Sequence, residues 1–454
     1  MPSAELSPPH PASANDDAVT AAAAMTLFIP FIPLSFSCEL TSQKSNERRR
    51  VITMGQNVQL STAVIGAGVV GLLTAWQLRL SGHAVTILDP APGAQASYAA
   101  AGMLAPISEV QYGQQQLWEL MTAAQAEYPA LIRTLQQASA LPTGYRENGT
   151  LLVAADPGDR QATAELVAVQ QAAGMEVTPL SSRQLRSAEP ALAPGLAKVW
   201  SVPGDHQVNP RQLVRCVTEA LDAQLDPGVF PTAGPPAQWI AARVTRVEQT
   251  EQGIRVEYDG AAAVFDRAAL VPGLGYTDIA GLPQQQPLDL RPVHGDVIRL
   301  RVRPEQLSPG EQHLISSTLR AKVRGRSVYL VPRAPEDPLE PLGLVVGASS
   351  REDGLPGTHT GSVAELLEDA AAVLPAVRDA ELVEITTRAR PGTPDDRPYL
   401  GAVSPGGGVV ISTGYHRHGI LLAPLAARLT VALLSGEPLS EADRDYLETM
   451  RPDR

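Results

Sequence analysis

The clearest pattern of apolar and polar positions begins at Gln59, where it predicts a strand, a turn, a helix and a second strand. The segment LSTAVIGAGVVGLLTAWQLRLSGHAVTILDP has a short apolar run at each end, and a glycine-rich turn and an amphipathic stretch lie between the runs. This order is typical of a βαβ unit. We therefore predict an α/β protein whose first sheet contains parallel strands.

A second group of segments predicts another sheet. Five segments alternate in polarity or are apolar throughout, which favours a mixed sheet. They are GTLLVAA, GDVIRLRVR, SVYLVPR, LGLVVGAS and ELVEITTR. We place this sheet in an α+β substrate domain, residues 140–196 and 288–388, inserted into a dinucleotide-binding domain of residues 54–139, 197–287 and 389–454. The pair ARVTRVEQ and GIRVEYDG predicts a hairpin, and residues 419–434 predict an apolar helix near the end of the chain.

The residues before Met54 differ from the rest of the chain. They begin with a stretch rich in Pro, Ala and Ser, which favours disorder, and continue with the apolar segment AAAAMTLFIPFIPLSFS. A cleaved or anchoring leader is one explanation of that segment, but no Lys or Arg precedes it, and Pro30 and Pro33 interrupt it. We predict that residues 1–53 are a disordered extension or result from an over-long gene start.

Composition narrows the class of protein. The 454 residues carry a formal net charge of -12, which argues against nucleic acid as the main partner. Two cysteines, Cys38 and Cys216, are too few for a disulfide framework or a zinc site, which fits the cytoplasm and predicts no metal. No apolar run reaches the roughly 18 residues that a membrane-spanning helix needs, so we expect no membrane partner.

The glycine-rich turn has the spacing G-x-G-x-x-G, formed by Gly66, Gly68 and Gly71. The first glycine allows the tight turn, the second lets the backbone approach a pyrophosphate, and the third lets helix and strand pack closely. Asp89 closes the second strand 18 residues after Gly71, where a carboxylate accepts hydrogen bonds from a ribose. The turn therefore predicts a Rossmann-type dinucleotide site, and by itself leaves FAD and NAD both open.

The loop after the second strand, GAQASYAAAGMLAP (residues 93–106, the Ala-rich loop), consists mostly of small residues. Such residues let the backbone approach a bulky planar group, although an ordinary alanine-rich loop has the same composition. Further along the chain lie PGDHQVNPRQLVRCV, RPVHGDVIRLRV, SVYLVPR, ARPGTPDDRPYLG and STGYHRHGILLAP. With the glycine turn, these motifs follow the order found in the amino-acid oxidase family of flavoproteins. The chain most closely resembles the glycine oxidases of that family that are linked to thiamine biosynthesis.

The resemblance implies a non-covalent FAD and a set of residues that bind it. Ser97 is expected near the pyrophosphate, and Ala100, Gly102 and Met103 are expected along the isoalloxazine. The full set of expected cofactor-binding residues is Gly66, Ala67, Gly68, Val69, Val70, Gly71, Asp89, Ser97, Ala100, Gly102, Met103, Gly414, Arg417, Gly419 and Ile420. The positive amino end of the predicted last helix is expected to face the flavin.

The segment TTRARPG raises the question of whether an arginine binds a substrate carboxylate. If the segment is extended, Arg388 and Arg390 point to one face, because side chains on one face recur every two residues. The planar guanidinium suits a carboxylate, although a solvated arginine in a turn is the alternative. The resemblance assigns the carboxylate to Arg390 and to the hydroxyl of Tyr329, which otherwise would be a core tyrosine. Arg388 is expected at the surface.

The same resemblance implies oxidative deamination of glycine by dioxygen to glyoxylate, ammonia and hydrogen peroxide. Arg390, Tyr329, Arg417 and Met103 are the expected catalytic residues. The sequence departs from the family at Arg388 and in the GYHRHG motif, which leaves sarcosine or small D-amino acids as alternative substrates. A dehydrogenase that passes its electrons to a membrane quinone is an alternative enzyme. A non-catalytic nucleotide-binding module is a further alternative, and related oxidases suggest a homo-oligomer.

Overall fold

The computed structural model describes residues 59–454 except 283–287 and 336. The prediction for residues 1–53 lies outside the described residues. The strands are β1 (Ser61–Ile65), β2 (Ala84–Leu88), β3 (Met103–Leu104), β4 (Thr150–Ala154), β5 (Thr178–Pro179), β6 (Lys198–Val202), β7 (His206–Gln207), β8 (Gln238–Ile240), β9 (Val244–Thr250), β10 (Gly253–Tyr258), β11 (Ala261–Phe265), β12 (Arg267–Leu270), β13 (Arg291–Arg301), β14 (Thr318–Val323), β15 (Arg326–Pro332), β16 (Gly343–Gly347), β17 (Glu381–Gly392), β18 (Tyr399–Ala402) and β19 (Val409–Thr413). The helices are α1 (Val69–Leu80), α2 (Ala96–Ala99), α3 (Gln115–Ala138), α4 (Pro157–Ala172), α5 (Ser182–Ala188), α6 (Pro210–Asp222), α7 (Thr360–Val373), α8 (Gly419–Ser435) and α9 (Glu441–Met450).

The first large sheet has the strand order β18-β19-β12-β1-β2-β8. The pairs β1–β2, β1–β12, β2–β8 and β12–β19 are parallel, and the edge strand β18 is antiparallel to β19. Helices α1, α3, α6 and α8 contribute to a single apolar cluster beside this sheet. The βαβ prediction is therefore confirmed, with the glycine turn at the carboxyl end of the central strand β1.

The second large sheet has the order β17-β13-β16-β15-β14-β4-β6-β5. Its pairs are antiparallel except for β4 with β14, so the mixed sheet that the apolar segments predicted is confirmed. Helix α7 covers one face and packs its apolar side on β13, β14 and β15. The opposite face carries the polar side chains of the candidate site.

The predicted hairpin is formed by β9 and β10, which pair antiparallel and continue into β11. The division into two domains stays a prediction, because residues 57–454 form one compact unit. Strand β6, which the predicted boundaries assign to the dinucleotide-binding domain, pairs with β4 in the second large sheet.

Helix α8 shows how an apolar helix accommodates a proline. Pro424 lies inside the helix and has no N–H for the carbonyl of Ile420, four residues earlier. The buried Tyr128 hydroxyl donates to that carbonyl from α3 instead. The segment that contains α8 is long and apolar enough to cross a membrane, but 78% of its most apolar window is buried inside the protein. This helix is therefore a core element of the fold.

Candidate active site

The glycine turn between β1 and α1 is shaped by close backbone contacts. Gly66 has a φ of +101°, and a Cβ at this position would collide with the carbonyl of Val271. A Cβ on Gly71 would collide with the carbonyl of Gly66, so this glycine lets the helix pack on the turn. At Gly68 the nearest atom to an added Cβ is the Ser97 hydroxyl at 3.4 Å, and this residue borders a cavity. These contacts are those that a backbone cradle for phosphates requires.

Two polar side chains hold the turn in place. The Val69 N–H at the start of α1 donates to the hydroxyl of Ser97 at 3.0 Å. The carboxylate of Asp89 accepts the N–H groups of Ala67 and Ala91, each at 2.7 Å. Each carboxylate oxygen has further acceptor capacity, so Asp89 both fixes the turn and can accept a ribose hydroxyl.

A cavity of about 1080 Å³ starts at the glycine turn, follows the Ala-rich loop and ends over the second large sheet. Ligand pockets typically have volumes of about 300–1,000 Å³, so a large cofactor and a small substrate fit together here. The expected cofactor residues that line it are Gly66, Gly68, Val69, Val70, Gly71, Asp89, Ser97, Ala100, Gly102, Met103, Arg417, Gly419 and Ile420.

Two of the expected cofactor residues lie outside the lining. Ala67 is fully buried beneath the turn and acts through its hydrogen bond to Asp89. Gly414 has a φ of +78°, and a Cβ there would stand 2.6 Å from the Thr393 methyl carbon. It therefore shapes the chain just before α8 and does not face the cavity.

The four expected catalytic residues are brought together around the substrate end of the cavity: Arg390 on β17, Tyr329 on β15, Met103 on β3 and Arg417 just before α8. Strands β13 and β16 lie between β17 and β15 in the sheet. Strand β13 contributes Gly295 and strand β16 contributes Gly347 to the face that carries Arg390 and Tyr329. The guanidinium of Arg390 lies over Gly295, and the phenol of Tyr329 lies over Gly347. A side chain at either glycine would occupy the same space, so the two polar groups rest directly on the sheet.

Among the described residues Arg390 forms no direct ion pair, although the carboxylates of Glu109 and Asp296 lie close enough to favour its charged form. Its guanidinium donates to the carbonyl of Ser349 at 3.3 Å, and among the described residues no carboxylate forms an ion pair with it. Burial lowers the pKa of Arg390, although the guanidinium still carries its charge at neutral pH. Burial also raises the pKa of Tyr329, so its hydroxyl remains protonated and can donate. A half-buried guanidinium that faces a cavity and has no ion-pair partner favours an anionic ligand.

The neighbouring Arg388 is not a simple surface residue, which corrects our expectation. Its side chain is half-buried and lines the same cavity. It donates through Nε to the carbonyl of Ala94 at 3.0 Å and through Nη1 to the carbonyl of Thr387 at 2.8 Å. These bonds hold it against the Ala-rich loop, so the two arginines share one face but serve different parts of the cavity.

The carboxylate of Glu109 was missed by the sequence reasoning. It lines the cavity and forms ion pairs with Arg320 of β14 and, at 3.5 Å, with Arg417. Burial opposes its ionisation, but Arg320, Arg417 and the nearby His418 outweigh this effect and hold the pKa of Glu109 at about 2. The sequence contains one signal for this role, because Glu109 is the single charged residue between Asp89 and Glu119.

His418 and Met103 complete this side of the cavity. Burial lowers the pKa of His418 to about 3, so the ring is neutral at pH 7. Its Nε2 accepts from Nε of Arg417 at 3.1 Å, which helps to orient the guanidinium. The Met103 sulfur lies 3.9 Å from a guanidinium nitrogen of Arg320. Sequence reasoning assigned no role to His418, because its contribution depends on contacts across the fold.

Comparison with known proteins agrees with this geometry. Residues 61–433 match the family model described as FAD dependent oxidoreductase. The chain is 27% identical to a glycine oxidase of Geobacillus kaustophilus, over 82% of this chain and 92% of the relative. It is 28% identical to the bifunctional protein ThiO/ThiG of Trichormus variabilis, over 81% of this chain and 51% of the relative. The chain thus spans about half the length of the curated relatives of this bifunctional type.

The fold is also found in a solved structure. A crystal structure of glycine oxidase from Geobacillus kaustophilus superposes with a TM-score of 0.71 at 26% sequence identity, covering 84% of this chain and 96% of that one. The family match covers most of the described chain, and the glycine turn, Asp89 and the Ala-rich loop form a cavity that fits FAD. This protein is an FAD-dependent enzyme that belongs to the FAD dependent oxidoreductase family.

Proposed function

We propose that this enzyme catalyses the oxidative deamination of glycine to glyoxylate, ammonia and hydrogen peroxide. One glycine, one dioxygen and one water balance one molecule of each product. The observation that carries the proposal is the half-buried guanidinium of Arg390, which forms no ion pair with a carboxylate among the described residues and faces the cavity beside Tyr329. The names of the glycine oxidase relatives support the choice of substrate.

The residues of the chain bind and orient the substrate. Arg390 offers two parallel N–H donors to the substrate carboxylate, and Tyr329 adds its hydroxyl. Fixing the carboxylate in this way holds the Cα–H bond in one orientation toward the cofactor. The barrier to reaction falls because the reacting groups are already oriented when the substrate binds. Met103 lines the cavity and packs, with Tyr329, against the same small apolar cluster.

Bound FAD supplies the two-electron acceptor, and dioxygen receives the electrons afterwards. The protein contributes the electrostatics of the site. Gly419 and Ile420 line the cavity at the amino end of α8, where the helix dipole is positive. Arg417 lies on the same side, although Glu109 balances part of its charge. This arrangement stabilises negative charge that develops at that end of the cavity.

Three variants test the proposed role of Arg390. Arg390→Ala removes a charge-assisted hydrogen bond worth about 1.5–3 kcal/mol, which corresponds to a loss of roughly ten- to a hundredfold in kcat/KM for glycine. Arg390→Lys is expected to restore only part of the activity, because an ammonium group cannot form the paired bonds. FAD content is expected to stay at the parental value, since the phosphates lie at the glycine turn.

Arg388→Ala is the comparison variant in this experiment. It removes a guanidinium from the same strand and the same cavity, but one that is bound to the Ala-rich loop. We expect a larger effect on FAD retention than on the KM for glycine. Parental turnover of glycine by Arg390→Ala, together with loss of glycine binding in Arg388→Ala, would reverse the assignment.

A second candidate function is the oxidation of a larger amine, such as sarcosine or a small D-amino acid, by an oxidase or a dehydrogenase. It is favoured by the length of the cavity, which continues past Tyr329 to Arg320, Lys322 and Ser327. Glycine does not need this space. A peroxide-coupled screen of glycine, sarcosine, D-alanine and D-proline, repeated anaerobically with a quinone acceptor, distinguishes these activities.

We also propose that the product enters the thiazole branch of thiamine biosynthesis. The likeness to ThiO/ThiG and to the thiamine-linked glycine oxidases supports this place in metabolism. Deletion of the gene is expected to produce a thiamine requirement that the intact gene relieves and that the Arg390→Ala gene does not. Growth of the deletion strain without thiamine would contradict the link.

A further inference from the structure

A buried cluster of charged side chains contacts the Ala-rich loop, and its members do not line the cavity. Glu340 accepts from Nε of Arg299 at 2.6 Å and from Nε of Arg333 at 2.7 Å. The side chains of Glu340, Arg299 and Arg333 are 9%, 4% and 2% exposed, so one carboxylate joins two almost fully buried guanidinium groups. None of these residues is part of the substrate site described above.

The free ends of both guanidinium groups are directed at backbone carbonyls of the Ala-rich loop. Arg299 donates through Nη2 to the carbonyl of Tyr98 at 3.2 Å, and the carbonyl of Ala100 lies 3.5 Å from the same nitrogen. Arg333 donates through Nη2 to the carbonyl of Ala101 at 3.0 Å. Arg299 and Arg333 therefore contact three carbonyls of the segment that lines the cofactor cavity, and Arg211 donates through Nε to the carbonyl of Tyr98 at 3.2 Å as well.

The same segment is held at its other end by backbone contacts. Gly102 has a φ of +84°, and its carbonyl accepts the N–H of Val208 at 2.8 Å. Met103 pairs with Gln207 in the short ladder of β3 and β7. Ala101 packs on Val297 of the second large sheet. The segment is thus fixed by contacts at several points along its length.

The cluster is difficult to explain by stability alone. Removing several charges from water is costly, and well-packed apolar side chains of similar size usually stabilise a protein at least as well. Burial opposes the ionisation of Glu340, but Arg333 and Arg299 outweigh it and keep the pKa of this carboxyl below its ordinary value. The ionised carboxylate of Glu340 fixes the guanidinium groups of Arg299 and Arg333 so that their remaining N–H groups point at the loop. Apolar residues could not supply those donors.

We propose that Glu340, Arg299 and Arg333 are positioning residues that hold residues 98–103 of the Ala-rich loop against bound FAD, and thereby set the affinity of the protein for the cofactor. They act through the loop backbone and do not contact the substrate. The proposal depends on the FAD site alone, so it stands or fails independently of which amine the enzyme oxidises.

The test uses the purified full-length holoprotein and the variant Glu340→Gln, which keeps the shape of the side chain and removes its charge. We expect faster amide hydrogen exchange in the peptide that contains residues 98–103, and a rise of roughly tenfold in the Kd of FAD measured by dilution and ultrafiltration. The visible absorption bands of the remaining bound flavin should lose fine structure.

The matched control is Glu381→Gln, which removes a carboxylate from an exposed ion pair with Arg301 on the same sheet. It is expected to leave both the exchange of residues 98–103 and the Kd of FAD unchanged. If Glu340→Gln lowers the melting temperature while loop exchange and FAD affinity match the parent, the cluster is merely structural and the proposal is overturned.

Arg333→Lys keeps the experiment decisive if Glu340→Gln does not fold. Lysine retains the positive charge beside Glu340, but its single nitrogen cannot hold the carboxylate and reach the carbonyl of Ala101 in the same geometry. Increased exchange of residues 98–103 and weaker FAD binding in this variant support the proposal. Parental values of both measurements refute it.

Discussion

The guanidinium of Arg390 rests on the Cα of Gly295, which lies on the neighbouring strand of the second large sheet. Gly295 pairs with Arg388 in the ladder, whereas Arg390 pairs with Val293, so the side chain of Arg390 leans diagonally across its partner strand. That lean is possible because Gly295 has no side chain. The position of the carboxylate-binding group therefore depends on a glycine elsewhere in the sequence.

The first prediction is that Gly295→Ala displaces Arg390 and weakens the binding of glycine. The backbone of Gly295 does not lie in the left-handed region, so alanine is tolerated there and the collision with Arg390 is the main effect. A misplacement of about 1 Å can cost roughly a hundredfold in rate, and we expect a fall of at least about tenfold in kcat/KM. FAD content should not change. Gly357→Ala is the control, since an added Cβ there meets no atom within 4 Å.

The second prediction concerns the glycine turn. Gly71→Val introduces a side chain where even a Cβ would collide with the carbonyl of Gly66. We expect a protein that is purified with little or no FAD and therefore lacks the yellow colour of the parent. Acid release and quantification of FAD measure the effect, and circular dichroism checks the fold. A folded variant with parental FAD content would show that the turn does not bind the cofactor.

The third prediction is that Glu109→Gln lowers both stability and catalytic efficiency. The substitution leaves Arg320 and Arg417 without their shared carboxylate. Loss of one partner from a buried ion pair costs about 3–5 kcal/mol, and we expect about 2 kcal/mol here because both arginines keep some contact with water. Urea unfolding measures the change, and the exposed Glu119→Gln provides the control.

The difference in the free energy of unfolding between the parent and Glu109→Gln depends on pH because the pKa of Glu109 is lowered in the folded protein. Its folded pKa is about 2, below the ordinary value of 4.5, so the ionised carboxylate stabilises the fold fully above pH 4.5. That contribution is lost as the pH falls from 4.5 toward 2. The stability gap between the parent and Glu109→Gln should therefore be constant from pH 7 to pH 5 and narrow below it. A gap that widens with acid would contradict the assignment.

The fourth prediction concerns Asp205, a fully buried carboxyl whose Oδ1 accepts the N–H of Ile107 at 3.2 Å. Burial raises its pKa from 3.8 to about 6, so the folded protein retains a proton that the unfolded chain loses. Stability therefore falls as the pH rises from about 4 to 6 and stays low above it. Asp205→Asn should be more stable than the parent at pH 7, by about 1–3 kcal/mol, and nearly equal to it at pH 4. If Asp205→Asn and the parent differed in free energy of unfolding by the same amount at pH 7 and pH 4, the raised pKa of Asp205 would be contradicted.

The sequence by itself determined the features that depend on local spacing. The glycine turn, Asp89 and the flanking apolar runs predict a dinucleotide site within about thirty residues, because the strand, turn and helix of a βαβ unit are contiguous in the chain. The two-residue period of a strand likewise predicts that Arg388 and Arg390 share a face. Those expectations required no knowledge of how distant segments meet.

Only the tertiary structure decided which groups complete the site. Gly347 makes room for Tyr329, with which it pairs, and Gly295 makes room for Arg390, which lies diagonally across from it on the neighbouring strand. Both arrangements depend on the register between strands, which no local sequence pattern encodes. The role of Glu109 depends on Arg320, and that of Glu340 on Arg299, both of which are distant in sequence from their partners. A charged residue that is exposed when its segment is considered alone becomes a buried partner once strands and loops pack, because the cost of burying a charge is offset only by groups that folding brings to it.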